Sequence, residues 1–463
     1  MRITNGLAPW ASQNARRTPK ISAPARAAAL SLACCTLVAI AVTAGVTPAG
    51  AAAQTTGQRQ PSPPGPALGW SAVPVQAIPG GLPEGSQLSV GNITCLSNSD
   101  CVAGGYLQVP NPAAGNDAMK VPETLYTPLI WKWDGHSWAH QASGTKGSVG
   151  LVGSACPSAT DCWVVGAEFV GKLGEQLVGV ILHSGGKSWS ASPFPSPPGA
   201  ALNGIACPSP TDCIAVGTRQ TSATTAHALA ESWDGSHWSN MPIAYPKAAL
   251  WSVLESLTCY SPTDCLALGD ADNSAKGSGY FFADRFDGTS WAAVTAQNAQ
   301  QFNMGNDSGL FEISCPSEND CIAVGGALGY TRGQMGADFP GGVAEKWDGT
   351  SWSALKAPLV AADGYANSAA LNGVSCTSPS DCWVAVSYPS ILGPQKIAIA
   401  HWDGASFTVS VLPAKGFLAG ISCLAENVGI WCTGIGEAFT GANGSHSAMT
   451  GGYFLVPKSE LRQ

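Results

Sequence analysis

GIACPSPTDCIAVG (residues 204–217) ends one apolar run in a cysteine, turns through a short polar segment, and opens the next apolar run with a second cysteine. The same pattern recurs as NITCLSNSDCVAGG (92–105), GSACPSATDCWVVG (153–166) and SLTCYSPTDCLALG (256–269). Further copies are EISCPSENDCIAVG (312–325), GVSCTSPSDCWVAV (373–386) and a degenerate GISCLAENVGIWCTG (420–434). Between them lies a second pattern, a turn flanked by aromatics: WDGHSW (133–138), SGGKSW (184–189), WDGSHW (233–238), FDGTSW (286–291), WDGTSW (347–352) and WDGASF (402–407). Asp-Gly between apolar residues signals a hairpin, because glycine supplies the positive φ that the turn needs. Both patterns read as hairpins, so each unit holds four strands, a to d.

The first cysteines of successive units are 61, 51, 52, 56, 61 and 47 residues apart. Four strands per unit at such a period read as propeller blades. Strands such as CIAVG and CWVVG are apolar throughout, as expected of sheets covered on both faces. Seven a–b hairpins are present but only six c–d hairpins, and the last unit ends in one c-like strand, GGYFLVP (451–457). GWSAVPV (69–75) resembles the d strand TSWSALKAP (350–358) and supplies the missing partner. The expected fold is therefore an all-β, seven-bladed β-propeller of four-stranded blades over residues 69–463. Its ring is closed by an N-terminal d strand (69–75) that completes the last blade, which removes exposed sheet edges.

Outward from the repeats, residues 54–68 form a Pro-rich linker, and residues 1–53 read as an export signal. Arg16, Arg17, Lys20 and Arg26 precede an apolar stretch of roughly Ala27 to Val46. Small residues from Ala49 to Ala53 then fit a cleavage site. An uncleaved membrane anchor is the alternative, since the apolar run is long. No later segment is apolar enough to cross a membrane. The expected location is extracellular or the cell envelope.

Setting aside Cys34 and Cys35, fourteen of the 16 cysteines remain, two per unit. Opposed residues of an antiparallel hairpin are close enough for a disulfide, and an exported chain meets an oxidising compartment. The expected bonds are Cys95–Cys101, Cys156–Cys162, Cys207–Cys213, Cys259–Cys265, Cys315–Cys321, Cys376–Cys382 and Cys423–Cys432. The C-x5-C spacing is not that of a zinc site, and no histidine follows the cysteines from unit to unit.

Charged residues make up only 11% of the chain and the net charge is −8, which argues against a nucleic-acid partner. Neither G-x-S-x-G, H-E-x-x-H nor a phosphate-binding loop occurs. No cofactor or metal is expected. Asp270, Asp272 and Asn273 have the alternation of a calcium loop but lack its downstream glutamate. Asp134, Asp234, Asp287, Asp348 and Asp403 read as turn residues bonded to local backbone.

Units of the form L-x-G-[IV]-[SA]-C-P-S-x-x-D-C-[IW]-A-V-G followed by [AE]-x-W-D-G-T-S-W resemble those of secreted actinobacterial β-propeller repeat proteins. In outline they are also similar to the kelch and Asp-box propellers, although the Asp box has one more residue between Asp and Gly. The resemblance covers about residues 69–457. It implies a propeller and export, and no catalytic residue.

The a–b and c–d turns are short and near-identical, whereas the b–c and d–a connections vary in length. Variable loops on a rigid scaffold usually carry binding, and strand a, the innermost, would start at that face. Asn92, Asn203, Glu255, Glu312 and Asn372, with Trp251 just before, would rim the central channel. Ordinary strand-end solvation is the competing reading. The functional expectation is a monomeric, exported, non-catalytic binding or interaction module for a polysaccharide or an extracellular protein. Two alternatives stand beside it: a carbohydrate-active hydrolase or lyase using Glu255 and Glu312, and an envelope-anchored structural protein.

Overall fold

The computed structural model describes residues 70–457 except 75–82, 84–85, 112, 114–121, 123, 172–173, 175, 196, 223–224, 244–248, 274–277, 295–307, 328–341, 359–368, 389–395, 427–428 and 439–452. The expected export signal (1–53) and linker (54–68) lie outside the described residues, as do parts of the variable connections.

The described residues form 27 strands, all antiparallel to their neighbours apart from one bridge. Three sheets have four strands each. The first holds β2 (Gln87–Ser97), β3 (Asp100–Pro110), β4 (Thr124–Trp133) and β5 (Trp138–Gln141). The second holds β6 (Val149–Ser158), β7 (Asp161–Val170), β8 (Gln176–Ser184) and β9 (Trp189–Ala191). The third holds β18 (Ser308–Ser317), β19 (Asp320–Ala327), β20 (Gly342–Trp347) and β21 (Trp352–Leu355).

An eight-stranded sheet joins two repeat units. Its strands are β10 (Ala200–Ser209), β11 (Asp212–Gln220), β12 (Ala226–Trp233), β13 (Trp238–Met241), β14 (Trp251–Ser261), β15 (Asp264–Asn273), β16 (Ser278–Phe286) and β17 (Trp291–Val294). The junction is a parallel bridge between Ala226 and Trp251. A seven-stranded sheet holds β22 (Ala370–Ser378), β23 (Asp381–Tyr388), β24 (Lys396–Trp402), β25 (Phe407–Glu426), β26 (Gly429–Ala438), β27 (Tyr453–Pro457) and β1 (Trp70–Pro74). Here β1 pairs with β27, with Trp70 opposite Pro457 and Pro74 opposite Tyr453.

The expectation of seven four-stranded blades is therefore corrected. The strands pair into five sheets, and only three of these are four-stranded. The physical reason lies at two junctions. β25 runs unbroken through 20 residues, so the end of one unit and the start of the next are a single strand. The Ala226–Trp251 bridge fuses two further units.

The architecture is an all-β propeller. The innermost strands β2, β6, β10, β14, β18 and β22 each pack beside the next, and the second half of β25 lies between β22 and β2. Hydrogen bonds stitch neighbours together near the cysteines. Thr94 Oγ1 donates to Ser154 O at 2.8 Å, and the backbone N–H of Cys376 donates to Ser314 Oγ at 2.9 Å. Likewise Cys423 N–H donates to Ser375 Oγ and Cys95 N–H to Ser422 Oγ, which ties β25 back to β2.

The core sits between sheets. Val102 and Ile130 of the first sheet pack with Val149, Leu151, Val164 and Leu182 of the second, all essentially buried. Middle strands such as β11 are buried on both faces over Cys213–Thr218, which is why they lack an in/out alternation.

All seven cysteine pairs are bonded, each across its own hairpin, with Cα–Cα separations of 3.9–4.1 Å. That number of disulfides favours an extracellular, oxidising location. Among the described residues no helix is long and apolar enough to cross a membrane.

The Asp-Gly turns have a common construction. In WDGTSW, Asp348 Oδ1 accepts the backbone N–H groups of Thr350 and Ser351 at 2.9 and 2.7 Å, and Gly349 holds φ at +90°. Asp134, Asp234, Asp287 and Asp403 do the same. The flanking aromatics then meet across the hairpin, as with Trp347 and Trp352 at 5.5 Å between centroids.

Candidate ligand site at the central cavity

Every innermost strand breaks register with its partner part-way along, ahead of its first cysteine. The pairing skips between Val90 and Ile93, Leu151 and Gly153, Leu202 and Gly204, and Leu254 and Ser256. It skips again between Leu310 and Glu312, Leu371 and Gly373, and Leu418 and Gly420. A bulge frees its extra residue from the ladder and re-aims the side chain. The skipped residues are Gly91 with Asn92, Val152, Asn203, Glu255, Phe311, Asn372 and Ala419. All of them line one cavity of about 150 Å³ at the centre of the ring.

The residue after the bulge is commonly glycine because the neighbouring inner strand passes too close for a side chain. A Cβ on Gly153 would lie 2.7 Å from the carbonyl oxygen of Asn203. Three residues before the first cysteine, where β6, β10, β22 and β25 have this glycine, β2, β14 and β18 instead have Asn92, Ser256 and Glu312, so three side chains face the cavity where the other units leave space. Symmetry is broken there.

The structure brings together five of the six residues singled out in the sequence. Asn92, Asn203, Glu255, Glu312 and Asn372 all line the cavity. Trp251 does not: it sits at the start of β14, opposite Asp272 and at the bridge to Ala226. Sequence reading missed Phe311 and Phe417, which also line the cavity, and the signal that would have found the former is its place four residues before the first cysteine, directly after the Leu that recurs there in six of the seven units.

Each carboxylate is held by an amide. Asn92 Nδ2 donates to both oxygens of Glu312 at 3.3 Å, and Ser256 Oγ donates to Glu312 Oε1 at 3.1 Å. Asn203 Nδ2 donates to Glu255 Oε2 at 3.2 Å and to Leu254 O at 3.0 Å. Asn372 Nδ2 donates to Ser387 Oγ at 3.0 Å and Leu418 O at 2.8 Å. The opposite atoms are unsatisfied: Asn203 Oδ1, Asn372 Oδ1 and Glu255 Oε1 are buried without a hydrogen-bond partner.

Burial, and next to it the charge of nearby Asp270, push the Glu255 carboxyl well above the usual carboxylate range. Burial raises Glu312 to about 7 against the opposing hydrogen bonds from Ser256, Asn92 and the Ile313 backbone. Asp270, on β15 behind Glu255, is raised by burial to about 8. Among the described residues no group of three or more His, Cys, Asp or Glu is arranged to hold a metal ion. Asp270, Asp272 and Asn273 belong to strand β15.

No family model matches the chain, and no curated protein matches its sequence. Among solved structures, it is similar to YCF48 from Cyanidioschyzon merolae, at 12% identity over 84% of this chain and 98% of that one, with a TM-score of 0.45. A structure of YCF48 bound to D1 peptide is similar at 14% identity, over 84% of this chain and 94% of that one, again at 0.45. The α-L-arabinofuranosidase Arb93a from Fusarium graminearum, in complex with an iminosugar inhibitor, is similar at 13% identity over 85% of this chain and 99% of that one, with a TM-score of 0.46. At such identities no residue role and no ligand carries over to this chain.

Proposed function

We propose that this chain is an exported, non-catalytic binding protein that engages a polysaccharide or an extracellular protein at its central cavity. The observation that carries the reading is the convergence of bulged residues from the innermost strands on one cavity, with Glu255 and Glu312 breaking the repeat symmetry. A cavity of about 150 Å³ is smaller than the roughly 300–1,000 Å³ of a pocket that swallows a whole drug-sized ligand. It suits one small group projecting from a larger partner. Export rests on residues 1–53 as a cleaved signal and on 54–68 as a linker. Mass spectrometry of the secreted protein checks this, since a chain beginning near Ala52 excludes an envelope anchor.

The test is binding of the disulfide-intact protein to arrays of polysaccharides and secreted proteins, repeated with Asn203→Ala and Asn372→Ala. Loss of a hit in these variants supports the site. A hit that binds both variants as tightly as the parent chain sinks it.

One observation favours a carbohydrate-active enzyme as a second reading: two glutamates share the cavity, both with proton affinity raised by burial, as a carboxylate acid/base pair would use. Assaying each polysaccharide hit for cleavage products decides the matter. If products form and Glu255→Gln/Glu312→Gln still forms them, the enzymatic assignment to these residues is wrong.

A further inference from the structure

The polar atoms around the cavity are unevenly distributed between donors and acceptors. The side-chain donors near the two carboxylates, Asn92 Nδ2, Asn203 Nδ2 and Ser256 Oγ, are already spent on Glu312 and Glu255. What is left over is acceptors: Glu255 Oε1, Asn203 Oδ1 and Asn372 Oδ1 have no partner, and Asn203 and Asn372 are only 9% and 5% exposed. The amides cannot turn to supply donors, because each Nδ2 is fixed on a backbone carbonyl, Leu254 O for Asn203 and Leu418 O for Asn372.

A buried acceptor left unpaired costs about 1–3 kcal/mol, so the complementary ligand is one that only donates. A sugar hydroxyl brings an acceptor with each donor, whereas an ammonium or guanidinium brings donors alone. No described Lys, Arg or His lines the cavity to neutralise the two glutamates. Tyr106, Phe311 and Phe417 also line it, and aromatic faces attract organic cations.

From this we infer that the group entering the cavity is an organic cation, a single alkylammonium or guanidinium head held between Glu255 and Glu312. The inference rests on the binding reading of this same cavity and names the chemistry it selects. Two carboxylates are too few protein ligands for a compact metal ion, and among the described residues no group of three or more His, Cys, Asp or Glu is arranged to hold one.

The ionisable groups around the site are Glu255 on β14, Glu312 on β18, Tyr106 on β3 and Asp270 on β15, which adds to the field at Glu255. Glu312, raised to about 7, holds its proton in mildly acidic solution, and Glu255, raised well above the usual range by burial and by Asp270, holds its own as well, so Oε1 is a free acceptor once that proton leaves. Cation binding must draw these protons off, so affinity rises with pH and binding releases protons.

The experiment is calorimetric titration of the full, disulfide-intact protein with n-butylammonium and n-butylguanidinium. Controls are 1-butanol, glucose and calcium chloride. A second arm compares an acetylated lysine methylamide with its norleucine analogue, which separates a free amine ligand from a lysine side chain of a protein partner. The cations bind and the neutral analogues do not. Replacing Glu255→Gln or Glu312→Gln weakens binding about tenfold or more, as loss of a hydrogen bond to a charged group would. For the unaltered protein, affinity rises about tenfold between roughly pH 6 and pH 8, with proton release measured from two buffers of different ionisation enthalpy.

Equal binding of 1-butanol or glucose, binding of calcium in place of the amines, or full cation affinity in both glutamine variants overturns the inference. Should the glutamine variants not fold, the profile of the unaltered protein decides: a flat dependence on pH overturns it. Failure here is separable from failure of the binding reading. A neutral ligand lost on Asn203→Ala leaves that reading standing and removes only the cation, whereas a ligand indifferent to every cavity substitution removes both.

Discussion

Asp284 is completely buried on β16, and neither of its carboxylate oxygens has a hydrogen-bond partner. It lies opposite Ala267 on one side and Ala293 on the other, small residues that leave space but offer nothing polar from their side chains. Glu231 occupies the matching place on β12, also completely buried. Glu345 on β20 stands there too, at 1% exposure, and the remaining units put Trp131, Leu182 or Ala400 at the position. Burial raises Asp284 from 3.8 to about 7, which corresponds to at most about 4 kcal/mol between its protonated and ionised forms. The sign follows from linkage: the folded state holds this proton more tightly than the unfolded chain. Its favourable contribution is complete below about pH 4 and is lost as pH rises through about 7. Asp284→Asn removes the titration while keeping the shape. Its melting temperature should exceed that of the parent chain most at about pH 8 and approach it near pH 4. Equal melting temperatures at both pH values would show that Asp284 is not ionised at a cost. Sequence alone hid these carboxylates, because A-E-S and A-D-R read as strands with a polar face toward water, and only the packing of sheet against sheet takes that water away.

At the level of the hairpin, three devices act together. The disulfide closes the a–b turn. The Asp before the second cysteine then reaches a base on the third strand: Asp264 takes a bidentate pair from Arg285 at 2.8 and 2.9 Å. Asp100 pairs with Lys132, Asp320 with Lys346, Asp161 with His183 and Asp381 with His401. His183 and His401 also stack on Trp163 and Trp383. Of the six units with an Asp before the second cysteine, only that of Asp212 lacks the base, since Ser232 stands where the others have Lys, His or Arg, and Asp212 instead accepts from Ser209 and Thr211. The Cys207–Cys213 bond serves that same unit. Replacing both cysteines by alanine should lower its unfolding free energy by about 2 kcal/mol, the entropy of a closed loop of this length. Guanidinium denaturation checks this, and an unchanged midpoint would mean that strand pairing alone fixes the turn. The hairpins were legible because a disulfide and a positive-φ glycine each demand particular residues at fixed spacing. The sheet boundaries were not. Nothing in PAKGFLAG, residues 413–420, announces that β25 runs on without a break, and whether two units bridge through Ala226 and Trp251 depends on how closely they pack. The cavity was half legible: polar residues early in strand a pointed to it, but the bulge that aims them is a matter of register, and register is set by the partner strand.

For the molecule as a whole, two sets of carboxylates pull stability in opposite directions with pH. Glu231 and Asp284 are raised to about 7, Glu312 to about 7 and Asp270 to about 8, all chiefly by burial, and Glu255 is raised as well, by burial and by the charge of Asp270. These groups favour the folded state when protonated, so their contribution falls away as pH climbs from about 4 to about 8. The turn aspartates behave the other way. Asp348, held to about 2 by hydrogen bonds from Thr350 and Ser351, contributes above the ordinary carboxylate range and loses its contribution in strong acid. Being fully exposed, these turn residues are screened by water and salt, so the buried set dominates. The thermal midpoint should therefore peak near pH 4 and decline toward pH 8, a profile measurable by calorimetry across that range. The decline should be shallower in Asp284→Asn, which deletes one titrating group from the buried set. A midpoint that climbs from about pH 5 to about pH 8 would mean that the interior carboxylates ionise at little cost, and the propeller's centre would then be better hydrated than its lining of Phe311, Phe417 and amide-bound glutamates implies.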